Sequence, residues 1–292
     1  MKNKATLALS LVASLVLAAC GGGGGSNSSA TPAASSASSA TTASAPAAAS
    51  APASTPAVTG EQLPSLSSPQ AGSTAATGNG VEGIWSFTSG LDKTVAFIDP
   101  QNNLSYLSTL GTSVMSEFFG VITPGSSSWT LTSGGLFNLI TYTATTSGSG
   151  SFTGNQSFSG SYVEGGNTVN IGWTYDPANA LAVSQATVAG TWAETNSSIT
   201  ITSSGAVSGT LSNCPVSGTM LLATAGSSQN LYTLNLTTGT NASCQTQNVT
   251  FTGNAAIVFL PIASSSLYKR TILYAVHTAS NTAFAYGQVS PQ

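Results

Sequence analysis

The stretch Ser198-Ile-Thr-Ile-Thr202 decides the fold class of this chain. Its isoleucines and threonines alternate, so an extended backbone would carry one apolar face and one polar face. Residues 167–173 and 231–236 are also rich in Thr, Val, Ile and aromatic residues, which favour strands. No stretch shows helical periodicity with capping residues. The sequence therefore predicts an all-β protein.

Turn signals separate these strand-like stretches at short intervals. Asp99-Pro-Gln-Asn-Asn103, Ser203-Ser-Gly205 and Gly165-Gly166 combine residues that favour tight turns. Short turns between strands are typical of hairpins, so we expect antiparallel pairing.

The β-rich region repeats itself weakly. Gly83-Ile-Trp85 recurs as Gly190-Thr-Trp192, and Phe152-Thr-Gly-Asn155 recurs in the same order as Phe251-Thr-Gly-Asn254. This order favours a duplication, and the alternative is that sequences rich in Ser, Thr and Gly resemble each other through composition alone.

Two further pairs extend the repeat. Thr94-Val-Ala-Phe-Ile98 matches Ser198-Ile-Thr-Ile-Thr202, and Asn170-Ile-Gly-Trp173 falls where Tyr274-Ala-Val-His277 falls. The halves would divide near Asp176-Pro-Ala-Asn-Ala180 into residues 81–180 and 181–292. Each half has the size of a small antiparallel β-barrel or β-sandwich module. The sequence leaves open whether the two halves form separate barrels or one joined sheet.

Several short motifs place a glycine after an apolar and a small polar residue. They include Phe152-Thr-Gly154, Phe251-Thr-Gly253, Phe158-Ser-Gly160, Val207-Ser-Gly209 and Val216-Ser-Gly218. Glycine within a strand marks a bulge, a bend or a close backbone approach, which strongly curved sheets need. We interpret these glycines as structural.

Charged residues make up only 4% of the 292 residues, with 5 basic and 8 acidic side chains and a formal net charge of −3. An ordinary soluble protein carries about 25% charged residues. Such a chain has no basic patch to neutralise phosphates, so we expect no nucleic-acid partner. A single histidine and few carboxylates also leave little for acid–base chemistry.

The first residues have the form of an export signal. Lys2 and Lys4 precede an apolar run over residues 5–17, which is shorter than the ~20 residues of a transmembrane helix. The run ends in Leu17-Ala18-Ala19-Cys20, which resembles the lipobox of bacterial lipoproteins.

This resemblance covers about twenty residues and implies a signal peptide over residues 1–19 and lipidation of Cys20. Two or three acyl chains would anchor the protein stably in a membrane. Gly21 stands where an Asp would favour the inner membrane, so the resemblance implies the cell outer membrane, with the leaflet left open.

Residues 20–80 have the composition of a tether. A Gly run and Ala/Ser/Thr/Pro repeats follow Cys20, and every aromatic residue of the chain lies after residue 80. Such a segment cannot bury enough surface to offset its ordering entropy, so we expect a disordered linker. Within it, Pro46-Ala-Ala-Ala-Ser50-Ala-Pro52 resembles bacterial O-glycosylation acceptors, which would make Ser50 a glycosylation site.

Cys214 and Cys244 remain as a pair once Cys20 is lipidated. Export would expose them to an oxidising compartment, which predicts a disulfide. Free buried thiols or a metal site are the alternatives. Zinc needs about four Cys or His ligands, and only His277 could join the pair, so we expect no metal and no cofactor.

Candidates for chemistry are few. His277 is the only histidine, so any Ser-His-Asp triad must use it. A single strand histidine more often packs or faces solvent, and the carboxylates are scattered. Glu82 and Glu194 have the positions of exposed strand-end charges. We therefore assign no catalytic residue.

The basic pair and the tryptophans suggest other roles. Lys269-Arg270 fits a gatekeeper that protects a strand edge. Trp85 and Trp192 occupy equivalent repeat positions and are expected in the core. Trp129 and Trp173 are then the candidates for an exposed aromatic binding surface.

Three functions fit these observations. The first is a non-catalytic envelope lipoprotein, anchored to the membrane, whose β modules bind a protein or glycan or act as a spacer. The second is a carrier of a small apolar ligand inside a barrel. The third is an atypical hydrolase that uses His277.

Overall fold

The computed structural model describes residues 60–138 and 141–292. Residues 83–175 form a closed antiparallel barrel in which each strand pairs with the next and the first pairs with the eighth. The strands are β1 (Gly83–Ser89), β2 (Asp92–Ile98), β3 (Asn103–Leu110), β4 (Ser113–Pro124), β5 (Ser128–Asn138), β6 (Thr141–Thr153), β7 (Ser157–Glu164) and β8 (Asn167–Tyr175).

Residues 190–291 form a second closed barrel with the same up-and-down order. Its strands are β9 (Gly190–Glu194), β10 (Ser197–Ile201), β11 (Ala206–Leu211), β12 (Cys214–Leu222), β13 (Tyr232–Thr238), β14 (Thr250–Pro261), β15 (Tyr268–His277) and β16 (Phe284–Pro291). The predicted all-β fold with two antiparallel modules is confirmed, and each module is a separate barrel.

The alternating stretch behaves as its pattern predicts. Ile199 and Ile201 are buried inside the second barrel, whereas Ser198 and Thr200 face outward. In so short a strand the period of two is enough to fix which face lies inside.

The first repeat pair is structurally equivalent. Trp85 and Trp192 lie on the first strand of their barrels and are 0% and 4% exposed. Each indole Nε1 donates to the carbonyl four residues earlier, Val81 at 2.9 Å and Val188 at 2.8 Å. The predicted core role of both tryptophans is confirmed. The matched stretches lie in β2 and β10, each the second strand of its barrel, but the match is out of register by one residue, because Ile98 pairs with Gly83 and Ile201 pairs with Gly190.

The other two repeat pairs are not equivalent, and those matches are wrong. Phe152 lies at the end of β6, where Asn155 adopts a turn conformation with φ 56°. Phe251 instead begins β14, and Asn254 lies buried within that strand. The stretch 170–173 belongs to an eighth strand, whereas 274–277 belongs to a seventh. Shared composition explains these matches.

The barrels pack side by side through their outer faces. Phe119 and Phe137 of the first barrel and Phe284 of the second belong to one buried cluster, and the ring centroids of Phe137 and Phe284 are 4.6 Å apart. We call this cluster the inter-barrel core; it consists of Ile84, Phe97, Leu107, Phe119, Phe137, Ala178, Leu231, Ala256, Val258, Ala275, Phe284 and Tyr286.

Short helical elements lie before the first barrel and between the two barrels in the chain. Helix α1 (Thr74–Thr77) is a single turn, and 3-10 turns cover Pro177–Ala180 and Gln185–Val188. No helix in residues 60–138 and 141–292 is long and apolar enough to cross a membrane.

The predicted tether is too long at its carboxyl end, because residues 60–80 pack against both barrels. Glu61 pairs with Tyr268 of β15 in both backbone directions, at 2.9 and 2.8 Å. Ser73 and Thr74 are 0% exposed, and the Thr74 hydroxyl accepts the backbone N–H of Asn230. The segment docks through hydrogen bonds. The prediction of a disordered linker relied on the absence of aromatic residues, and composition of that kind does not detect such bonds. The signal peptide, Cys20, Ser50 and the tether up to residue 59 lie outside the described residues.

Candidate ligand site

A cup of about 450 Å³ opens at one mouth of the first barrel. Its upper wall contains a row of neighbouring residues on four consecutive strands, Phe87, Thr94, Ser108 and Ser116, which pair in register. The full lining consists of Phe87, Thr94, Tyr106, Ser108, Ser116, Leu136, Tyr162, Val169, Asn170, Ile171, Gly172 and Trp173.

The cup exists because this row has small side chains. An eight-stranded barrel is just wide enough for large side chains to fill it. Thr94, Ser108 and Ser116 are too short to do so, whereas the next inward row, which includes Tyr106 and Phe118, closes the space below. The change from hydroxyl to aromatic side chains thus sets the depth of the cup.

Aromatic rings form the floor. Tyr106 stacks on Phe118 with ring centroids 5.2 Å apart and meets Trp173 edge-on at 5.4 Å. Phe118 in turn contacts Tyr162 at 4.8 Å. Such offset and edge contacts between rings stabilise beyond the area they bury, so the rings of the floor hold one another in place.

Two phenol groups meet at this floor. The hydroxyls of Tyr106 and Tyr162 are hydrogen-bonded to each other. Burial raises the pKa of Tyr106 well above its usual value, with a further contribution from Tyr162. Burial also raises the pKa of Tyr162 to about 12, and the negative charge of Glu164 adds to the increase. Both hydroxyls are therefore protonated at neutral pH and can donate.

The two tryptophans that we expected on an exposed surface are buried, so that prediction is wrong. Trp129 is 1% exposed and stacks on Phe158 beneath the floor, and Trp173 is 5% exposed. A Cβ on Gly160 would lie 2.6 Å from Trp129, so glycine is needed at this close approach. Only Trp173 reaches the cup. The sequence did not predict that Tyr106 and Tyr162, or the short hydroxyl side chains above them, would form a site. The available signal was that Thr94, Ser108 and Ser116 occupy positions of their strands that face inward.

Buried side chains pack inside the second barrel as well. Trp192, Met220 and Tyr232 belong to one cluster that includes residues from all eight of its strands. Cys214 and Cys244 form the predicted disulfide, which ties the start of β12 to the loop between β13 and β14. We place the candidate ligand site in the first barrel, where the cup opens.

His277 packs between the barrels. Its Nδ1 lies 2.8 Å from Asn281 Oδ1 and 3.1 Å from the Thr278 carbonyl, and its ring centroid is 3.9 Å from that of Phe119. Burial lowers its pKa, which these two hydrogen bonds partly offset. Within the described part of the chain no serine hydroxyl or carboxylate bonds to it, so the hydrolase alternative has no assembled triad there.

Two of the carboxylates lie in unexpected places. Glu82 is 5% exposed, so the expected strand-end exposure is wrong, and burial raises its pKa. Glu117 on β4 is fully buried beside the second barrel, and burial raises its pKa well above the usual value. Glu194 is half-buried. Among residues 60–138 and 141–292 no group of three or more His, Cys, Asp or Glu side chains could hold a metal ion.

The predicted gatekeeper role of the basic pair is also wrong. The guanidinium of Arg270 forms two hydrogen bonds to the Glu61 carboxylate, with Nε at 2.6 Å and Nη2 at 2.9 Å. The backbone of Glu61 bridges Tyr268 at the same point. Arg270 therefore binds the docked segment to β15. Because the barrel is closed, β15 is not an unpaired edge strand that a basic residue would protect.

Comparison with known proteins identifies no relative of this chain. No family model, no curated protein and no solved structure matches it.

Proposed function

We propose that this protein is a non-catalytic, lipid-anchored lipoprotein of the cell outer membrane that binds a small ligand in the cup of its first barrel. The observation that carries the proposal is the open cup, which has no charged side chain in its lining, has an aromatic floor and has a volume within the range of ligand pockets. Of the three functions considered from sequence, this combines the envelope lipoprotein with the carrier.

The contacts of the two barrels support a division of roles. A cup opens at the mouth of the first barrel, and both barrels have a buried side-chain cluster inside. The second barrel buries the outer face of β4 and β5 and binds the docked segment at Glu61 and Thr74. Its role is then to support the binding barrel and the docked segment.

A fluorescent apolar probe tests the binding role. N-phenyl-1-naphthylamine becomes fluorescent when it leaves water, and Trp173 in the cup wall would transfer energy to it. The Ser108→Phe variant fills the cup and should abolish the signal. The Thr168→Phe variant adds the same ring on the outer face of β8 and should bind as the parent does. No binding by the parent, or equal binding by both variants, would contradict a ligand site in the cup.

The membrane anchor rests on the lipobox resemblance and needs its own experiment. Labelled palmitate should enter the protein in a bacterial host, and the Cys20→Ala variant should lose both the label and the membrane association. Equal labelling of parent and variant would overturn the assignment of Cys20. Mass spectrometry of the same material would show whether Ser50 carries a glycan.

A further inference from the structure

The polarity of the cup points to the chemistry of its ligand. Two phenol hydroxyls supply two protons, and the bond between Tyr106 and Tyr162 uses one of them. The second proton has no acceptor among the described residues. It can therefore donate to a ligand that ends in a hydroxyl or carbonyl oxygen.

The lining of the cup carries no charged side chain. Thr94, Ser108, Ser116 and Asn170 are its other polar groups, and all are neutral. The negative charge of Glu164 acts on both tyrosines. A carboxylate or phosphate in the cup would lose its hydration without gaining a cation from the lining. The site thus disfavours anions.

The mouth of the cup carries exposed apolar side chains. Leu91 is 68% exposed and Leu110 is 49% exposed, at the tips of the β1–β2 and β3–β4 hairpins. The tips touch, because the Gly111 N–H donates to the Leu91 carbonyl at 2.8 Å. Phe87 both lines the cup and is 43% exposed, so it joins the interior to this apolar rim.

We infer that the cup binds an uncharged single-chain amphiphile, with its polar end hydrogen-bonded at the Tyr106–Tyr162 pair and its chain leaving along Phe87 over Leu91 and Leu110. This inference rests on the proposed function and adds the class of ligand and its orientation. The far end of the ligand's alkyl chain lies outside the cup. Affinity should therefore keep rising with alkyl chain length even after the cup itself is filled.

Displacement of N-phenyl-1-naphthylamine by defined ligands tests the inference. The purified full chain carries Cys20→Ala, so that no acyl chain of its own competes. 1-Decanol should displace the probe about ten-fold better than decanoate at neutral pH, because the carboxylate must be desolvated. 1-Decanol should also exceed 1-butanol, because more of the chain contacts the rim.

Substitutions separate the two ends of the ligand. Tyr106→Phe alone frees the hydroxyl of Tyr162 and should retain most of the affinity for 1-decanol. The double variant Tyr106→Phe/Tyr162→Phe removes both hydroxyls and should weaken 1-decanol binding about five-fold, a larger loss than it causes for the probe, which has no hydroxyl or carbonyl oxygen to bond there. Tyr232→Phe removes a buried hydroxyl in the second barrel and is the matched control.

The rim has its own variant. Leu91→Ser/Leu110→Ser should reduce the advantage of 1-decanol over 1-butanol, whereas Leu221→Ser, an exposed leucine of the second barrel, should not. Decanoate binding as tightly as 1-decanol, or a double tyrosine variant with full 1-decanol affinity, would overturn the inference while probe binding still supported the proposed function. Absence of probe binding by the parent would instead refute the proposed function itself.

Discussion

The side-chain amide of Asn179 pairs with both backbone groups of Ile84, as a neighbouring strand would. Asn179 Oδ1 accepts the Ile84 N–H at 2.8 Å, and Nδ2 donates to the Ile84 carbonyl at 2.6 Å. Asn230 does the same for Ile257, at 3.0 and 2.8 Å. Both asparagines are 0% exposed. In each barrel one asparagine side chain near the junction therefore pairs with both backbone groups of one residue, and the Ile84 carbonyl also accepts the Asp176 N–H at 3.0 Å.

Replacement of Asn179 by Ala should destabilise the protein by about 1–3 kcal/mol, because the buried Ile84 N–H loses its partner, whereas the Ile84 carbonyl still accepts the Asp176 N–H at 3.0 Å. Urea unfolding followed by tryptophan fluorescence measures the change. Asn167→Ala, at an exposed hairpin position, should remain within about 0.5 kcal/mol of the parent. A loss as small for Asn179→Ala as for this control would mean that Ile84 finds other partners.

The docking of residues 60–80 makes a second prediction. A chain that begins at Val81 leaves the backbone N–H of Asn230 and the carbonyl of Tyr268 without their partners. Its thermal midpoint should fall by several degrees relative to a chain that begins at Gly60. Equal midpoints for the two chains would show that the segment docks without stabilising the barrels.

Within this segment the ion pair should contribute little. Arg270 and Glu61 are about one-third exposed, so solvent screens their attraction. Glu61→Gln should therefore cost no more than about 1 kcal/mol in a urea unfolding experiment, less than removal of residues 60–80. If Glu61→Gln lowered the free energy of unfolding as much as the truncation does, the Arg270–Glu61 ion pair, and not the buried hydrogen bonds, would be the main contact that holds the segment.

The sequence predicts the fold where a local pattern determines the outcome. Alternation places Ile199 and Ile201 inside. The Gly-x-Trp repeat marks the first strand of each barrel, and in both copies the indole N–H donates to the carbonyl four residues earlier. Patterns that depend on composition fail. Phe-Thr-Gly-Asn occurs at opposite ends of two strands, because Ser, Thr and Gly fit turns and curved strands alike.

The candidate site lay beyond prediction for a different reason. Its polar row comes from three separate strands, and only the register of the closed barrel brings Thr94, Ser108 and Ser116 together. The burial of Trp129 likewise depends on Gly160 on a distant strand. Cysteine parity, in contrast, was enough for the disulfide, because Cys214 and Cys244 are the two left after Cys20.

Loss of the disulfide should weaken the second barrel. The bond closes a loop with a sequence separation of 30 residues, and the chain-entropy model gives it about 3–4 kcal/mol. The Cys214→Ala/Cys244→Ala variant should show this loss in denaturant unfolding, and reductant should no longer affect its stability. A variant as stable as the oxidised parent would contradict this view.

Glu117 gives the stability of the protein a specific pH dependence. Its carboxyl is fully buried beside the second barrel, and neither oxygen has a hydrogen-bond partner among the described residues. Burial raises its pKa well above the usual value, and the nearby Val276 backbone N–H offsets only part of this. Burial raises the pKa of Tyr274 and Tyr286, and the charge of an ionised Glu117 would raise both further.

The sign of this dependence follows from proton binding. Below pH about 4.5 both folded and unfolded states hold the Glu117 proton, so the group has no effect. Above that pH the unfolded chain releases the proton while the folded chain keeps it. Stability should therefore fall by up to about 1.4 kcal/mol per pH unit, until the pH passes the raised pKa of the folded state.

Glu117→Gln cannot ionise and should be more stable than the parent above neutral pH, by a margin that grows with pH. Urea unfolding between pH 4 and 9 gives the difference curve, in which the other titrating groups cancel. Asn167→Ala, which changes an exposed residue that does not titrate, should run parallel to the parent. A Glu117→Gln curve that also runs parallel to the parent would show that Glu117 is ionised in the folded protein and has a partner that offsets its burial.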